Sequence, residues 1–111
     1  IQDWEANVVY GYYDENDTTI KMFWEVVREM SSQERFKLLK FVTLVLRAPL
    51  LGFGSLNPKF GIQRTDSDDN NRLPTASTCA NLLKLPAYDN KTTLREKLIY
   101  SINTDAGFDL S

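Results

Sequence analysis

At 111 residues the chain is long enough for one domain with a single modest core and too short for two. Its 42% hydrophobic and 25% charged content is ordinary for a globular domain, and a net charge of −2 leaves no basic stripe for a phosphate backbone, so nucleic acid is not an expected partner. The longest apolar run, Phe41 to Leu46 broken by Thr43, is far below the roughly 20 residues that span a bilayer, so a membrane is not expected either.

The chain opens at Ile1 with no signal peptide and no methionine, as expected of a fragment whose N-terminus lies upstream. Residues Ile1 to Asp17 mix Trp4, Val8, Val9, Tyr10, Tyr12 and Tyr13 with acids and Asn. They lack helical spacing, so a short strand near Asn7 to Tyr10 is the expectation, with the tyrosines covering one edge of the core or forming a binding surface. From Asp17 or Thr18 the positions Ile20, Phe23, Trp24, Val27 and Met30 follow the i, i+3, i+4, i+7 rule and predict an amphipathic helix. Ser31 and Glu34 form a capping box, so a second helix starts almost without a loop and carries Phe36, Leu38, Leu39, Phe41, Val42, Val45 and Leu46 as a wide apolar surface. Pro49 ends it.

Pro49, Gly52, Gly54 and Pro58 break the next stretch into a loop with apolar plugs at Leu51, Phe53 and Leu56. Lys59 to Arg64 alternates Phe60 and Ile62 with polar neighbours, which suggests a half-exposed strand. Thr65 to Asn71 is a solvated turn. Its Asp66, Asp68 and Asp69 lack the glycine and terminal Glu of a calcium loop, so neither a metal nor any other cofactor is expected. Ala80 to Leu85 reads as a strand buried on both sides and ended by Pro86. Asn90 to Thr93 offers helix caps, with Thr93 and Glu96 as a second box, ahead of a third helix striped by Leu94, Leu98, Ile99 and Ile102. Gly107 stops that helix and leaves a tail, Phe108 to Ser111, which either packs back on the domain or docks near an active site. Helices with a few strands, neither alternating strictly nor of one type, predict an α+β fold: a small β-sheet covered by about three main helices.

The lone cysteine, Cys79, lies in Leu73 to Pro86, where an acidic polar loop enters a Leu-rich strand. It excludes an internal disulfide and fits a reducing compartment, cytoplasm or nucleus, where the sequons at Asn16 and Asn90 stay unglycosylated. Isolated cysteines are commonly buried small hydrophobes, but Thr75, Ser77 and Thr78 are small and polar and place this one near the surface. The chain has no histidine, which removes a Cys-His pair, a Ser-His-Asp triad and any His-containing metal site. An ordinary cysteine thiol, with a pKa of about 8.5, is only slightly ionised at neutral pH. Hydrolysis of a peptide bond is poorly served by such a group. Exchange with an activated thioester asks less, because the leaving group is itself a thiolate, and backbone N–H groups or the Ser77 and Thr78 hydroxyls suffice to support the developing charge. A redox thiol remains an alternative, without a second cysteine to resolve it.

The strings Phe23 to Val27, Leu39 to Thr43, Arg47 to Phe53, Leu73 to Cys79, Asn81 to Pro86 and Gly107-Phe108 together resemble the C-terminal lobe of HECT-type E3 ubiquitin ligases over nearly the whole chain. The resemblance implies a single C-lobe over residues 1–111, with Cys79 accepting ubiquitin from an E2 conjugating enzyme as a thioester and passing it to a lysine of a protein substrate or of ubiquitin. It implies that Leu73, Pro74, Thr75, Ala76, Ser77 and Thr78, with Asn81, line the ubiquitin tail, and that Phe108 helps the lysine step. It places the E2 site on an N-terminal lobe upstream, Ile1 near the interlobe hinge, and little activity in the lobe alone. Many members carry His two residues before the cysteine, where this chain has Ser77, and Gly after the Phe-Val-Thr triplet, where it has Leu44. The Pro49 to Phe53 and Asn81 to Pro86 spellings are most similar to the proteasome-associated, chain-elongating branch. The competing expectation is a non-catalytic ubiquitin- or partner-binding module whose cysteine is structural.

Overall fold

In a computed structural model, residues 2–43, 59–65, 72–104 and 108–109 are described. The apolar stripe predicted from Ile20 onward forms helix α2 (Thr18–Glu29), which buries Ile20, Phe23, Trp24, Val26 and Val27. Asp17 occupies its N-cap position, but the Asp17 carboxylate accepts a bond from the Asp14 N–H at 2.8 Å and makes no bond to the helix. Helix α3 (Ser32–Thr43) follows at once through the predicted box: Glu34 Oε1 accepts from the Ser31 N–H at 2.9 Å, and Ser31 Oγ accepts from the Glu34 N–H at 3.1 Å. Arg35 fixes the corner from the other side, donating to the carbonyls of Val27 at 2.9 Å and Arg28 at 2.8 Å and so satisfying the open end of α2. Phe36, expected on the apolar surface, is 41% exposed. At 100° per residue it lies roughly 140° from the centre of the face formed by Leu38, Leu39, Phe41 and Val42.

The N-terminal segment departs from expectation. Residues Gln2–Ala6 form a short helix, α1, because Trp4 is buried edge-on against Trp24 (5.7 Å) and Phe60 (5.2 Å). A single anchoring aromatic leaves no periodic trace in a five-residue helix. Strand β1 (Val9–Gly11) begins two residues later than expected. Of the tyrosines, Tyr13 covers the core and donates to the Leu85 carbonyl at 2.8 Å, Tyr10 accepts from Trp24 Nε1 at 3.2 Å, and Tyr12 is exposed.

Strands β2 (Gly61–Arg64), β3 (Thr75–Ser77), β4 (Leu82–Leu85) and β5 (Phe108–Asp109) complete a sheet of five among the described residues, ordered β1-β2-β4-β3-β5. The β1–β2, β2–β4 and β3–β5 pairs are parallel, and β3–β4 is antiparallel. The architecture is the expected α+β fold, a small mixed sheet with the helices packed on it. Strand β2 is an interior strand, so Phe60, Gly61 and Ile62 are buried where a half-exposed strand was expected. Strand β4 starts at Leu82, later than expected, and alternates: Leu83 and Leu85 are buried, whereas Leu82 is only half-buried. Helix α4 (Lys91–Thr104) buries Leu94, Leu98 and Ile102, with Ile99 partly covered. Its cap is Asn90, whose Oδ1 accepts from the Thr93 N–H at 2.8 Å, in place of the box expected between Thr93 and Glu96. Lys91 and Arg95 reach Glu29 of α2 at 2.5 and 3.4 Å, and Lys37 of α3 donates to Asn103 at 2.7 Å. The ion pairs are exposed and set orientation more than stability.

The expectations for Val45, Leu46 and Pro49, the plugs Leu51, Phe53 and Leu56, the carboxylates Asp66, Asp68 and Asp69, and Gly107 and Leu110 lie outside the described residues. No described helix is long and apolar enough to cross a membrane.

Tyr88 gives the domain an alkaline limit. It is 3% exposed, its hydroxyl donates to the Arg72 carbonyl, and burial, reinforced by Tyr13, raises its pKa well above the usual 10.0. In the unfolded chain it ionises near its ordinary value, while the folded chain keeps the proton. Stability is therefore complete below about pH 10 and falls as pH rises beyond it. Equilibrium unfolding followed from pH 8 to 11 should show this decline, and Tyr88→Phe should flatten it.

Candidate active site

The segment holding Cys79 is a tight hairpin. Thr75 to Ser77 is a strand of the sheet and not merely a loop leading into it: β3 pairs antiparallel with β4 in the register Thr75↔Lys84, Ala76↔Leu83 and Ser77↔Leu82. Of the three residues only the β-branched Thr75 favours a strand on its own, and pairing with the apolar β4 supplies the order. Ala76 is fully buried, while Thr75 and Ser77, on the opposite face, are half-buried. Pro74 is buried and Leu73 half-buried, so the run from Leu73 onward is anchored at alternate positions.

Between the strands a single 3-10 turn, Thr78–Ala80, holds Cys79 exposed at the hairpin's tip. Helix α3 packs against both β3 and this turn. Ser77 precedes the turn in extended conformation, and its hydroxyl makes no capping bond to it. Thr78 is half-buried at its base.

The turn ends at Asn81, whose φ of 51° and ψ of 43° are left-handed. Asn is among the few non-glycine residues that take this conformation at low cost. The Asn81 N–H bonds back to the Thr78 carbonyl at 3.4 Å, and the Asn81 carbonyl accepts from the Gly61 N–H at 2.9 Å. Gly61 was not singled out by the sequence reading. A Cβ there would lie 2.9 Å from Leu82 Cδ1, so glycine lets β2 lie against the start of β4 without turning the half-buried Leu82 side chain aside. A lone glycine opening a strand was the available signal.

The tail also joins this hairpin. Phe108 and Asp109 form β5 on the outer edge of β3, in the register Ala76↔Phe108 and Ser77↔Asp109. Thus the structure gathers Leu73 to Asn81 and the backbone of Phe108 at one end of the sheet. Among the described residues no group of three or more Cys, Asp and Glu is placed to hold a metal.

The family model described as HECT-domain (ubiquitin-transferase) matches residues 1–111, the whole chain. The chain belongs to the HECT-domain family. Similar proteins include the E3 ubiquitin-protein ligase HUL5 of Saccharomyces cerevisiae, 58% identical over 111 residues that cover all of this HECT chain and 12% of HUL5. The probable E3 ubiquitin protein ligase C167.07c of Schizosaccharomyces pombe and the E3 ubiquitin-protein ligase UPL6 of Arabidopsis thaliana are each 49% identical, again over all of this chain and over 11% of their own length. The HECT chain thus spans little more than a tenth of the relatives it matches.

The left-handed backbone at Asn81 closes the turn that carries Cys79, so Asn81→Val should lower the melting temperature more than Asn81→Gly does, since a β-branched side chain at positive φ costs roughly 1–3 kcal/mol. Thermal unfolding of the two variants checks this.

Proposed function

We propose that this chain is the C-terminal lobe of a HECT-type E3 ubiquitin ligase and that Cys79 carries ubiquitin as a thioester. The observation that supports this most is the exposed thiol at the tip of a clamped hairpin, in a chain matched over its whole length by the HECT model. A cysteine with a purely structural role would be buried.

In the first step the Cys79 thiolate attacks the carbonyl of the ubiquitin–E2 thioester. A new C–S bond forms, the old one breaks, and the E2 thiolate leaves. Exchange between two thioesters is nearly balanced and needs no strong base. In the second step a lysine amine attacks the Cys79 thioester, the sulfur leaves as thiolate, and the amine gives up its proton as the isopeptide bond forms; conversion of thioester to amide drives this step forward.

Leu73 to Thr78 and Asn81 line the path of the ubiquitin tail, and Phe108 serves the lysine step. Charged E2 docks on an N-terminal lobe upstream of this chain. The spellings of Pro49 to Phe53 and Asn81 to Pro86 support the chain-elongating branch, with the proteasome as a partner, in cytoplasm or nucleus. The test is to mix the full ligase with ubiquitin-charged E2, quench without reductant and map the adduct by mass spectrometry. Ubiquitin on the peptide containing Cys79 is the expected result; an adduct mapped elsewhere, or none, overturns the proposal.

A further inference from the structure

We infer that β5 is a displaceable occupant of the track along which the acyl donor's C-terminal peptide must reach Cys79, so that tail pairing and ubiquitin loading exclude one another. This rests on Cys79 being the acyl acceptor. One edge of β3 is taken by β4, leaving its outer edge as the place beside the thiol where an extended peptide can add by main-chain pairing. Strand β3 runs straight into the turn that carries Cys79. A chain lying parallel to β3 therefore advances toward the sulfur with its carbonyl end leading, which is the direction a C-terminal thioester has to travel.

Strand β5 lies parallel to β3 on that same edge, opposite Ala76 and Ser77. Two peptide chains cannot share those backbone groups. A two-residue strand offers few main-chain bonds, so it yields at modest cost and its occupancy sets the fraction of molecules ready to load. The tail that serves the lysine step would then retard the loading step when it is seated, and would return to the β3 edge once ubiquitin has left.

The experiment compares the full ligase with Asp109→Pro and Asp109→Val under single-turnover loading from ubiquitin-charged E2. Proline withdraws a backbone donor and disfavours the strand, whereas valine favours it. Loading onto Cys79 should rise about two- to tenfold for Asp109→Pro and fall for Asp109→Val. Alkylation of Cys79 by iodoacetamide, a reagent too small to need the track, should stay within about twofold of wild type in both. Equal loading in all three proteins, slower loading in Asp109→Pro, or parallel changes in alkylation overturn the inference while leaving Cys79 as the carrier. Absence of any Cys79 adduct in the wild type instead overturns the function on which it rests.

Discussion

On the proposed function, replacing Cys79 with alanine should reduce ubiquitin transfer by the full ligase at least about a thousandfold, because the proposed covalent carrier is lost and these 111 residues hold no second thiol. The fold should survive. Cys79 is exposed on a one-turn 3-10 element, so its sulfur fills no cavity and its removal leaves none. Cys79→Ser sharpens the experiment. A hydroxyl is far less acidic than a thiol and attacks slowly at neutral pH, but the ester it forms resists reductant. Electrophoresis with and without reductant should therefore show a labile adduct for wild type, none for Cys79→Ala and a weak, reductant-stable one for Cys79→Ser. An undiminished adduct in Cys79→Ala would falsify the carrier role.

Leu83→Ala should produce the largest loss of stability among changes near the site. Leu83 is fully buried in an interior strand, flanked by Ile62 of β2 and Ala76 of β3, both of which are also fully buried. Truncation removes apolar contact and leaves a void that rigid neighbouring strands cannot close, at a cost of about 2–5 kcal/mol. Whole domains of this size are stable by roughly 5–15 kcal/mol, so the melting temperature should drop on the order of 10–25 °C. Leu82, one residue earlier and only half-buried, should cost about half as much. Thermal unfolding of the two variants tests the alternation directly; equal losses would contradict the face assignment of β4.

The features legible in the sequence were the local ones. The Ser31–Glu34 box formed as spelled, because its bonds join residues three apart. The stripes of α2 and α4 were equally plain, since each helix repeats its buried face through several turns. Non-local features were not legible. Helix α1 depends on Trp4 meeting Phe60, and β3 depends on Thr75 to Ser77 lying against β4; neither segment signals its conformation alone. At the site, the exposure of Cys79 could be inferred from its small polar neighbours. The hold of Gly61 on Asn81 could not, because it joins two segments whose proximity exists only in the folded sheet.

The parallel pairing of β1 with β2 bears on how the chain acquires its structure. Val9 meets Gly61 only after α2 and α3 have been made and passed over, and β2 in turn gains its other neighbour only when Leu82 to Leu85 have emerged. Such long-range closure is slow compared with helix formation. Until that pairing forms, Phe60 and Ile62 have one flank uncovered, and the turn that carries Cys79 lacks its hydrogen bond from Gly61.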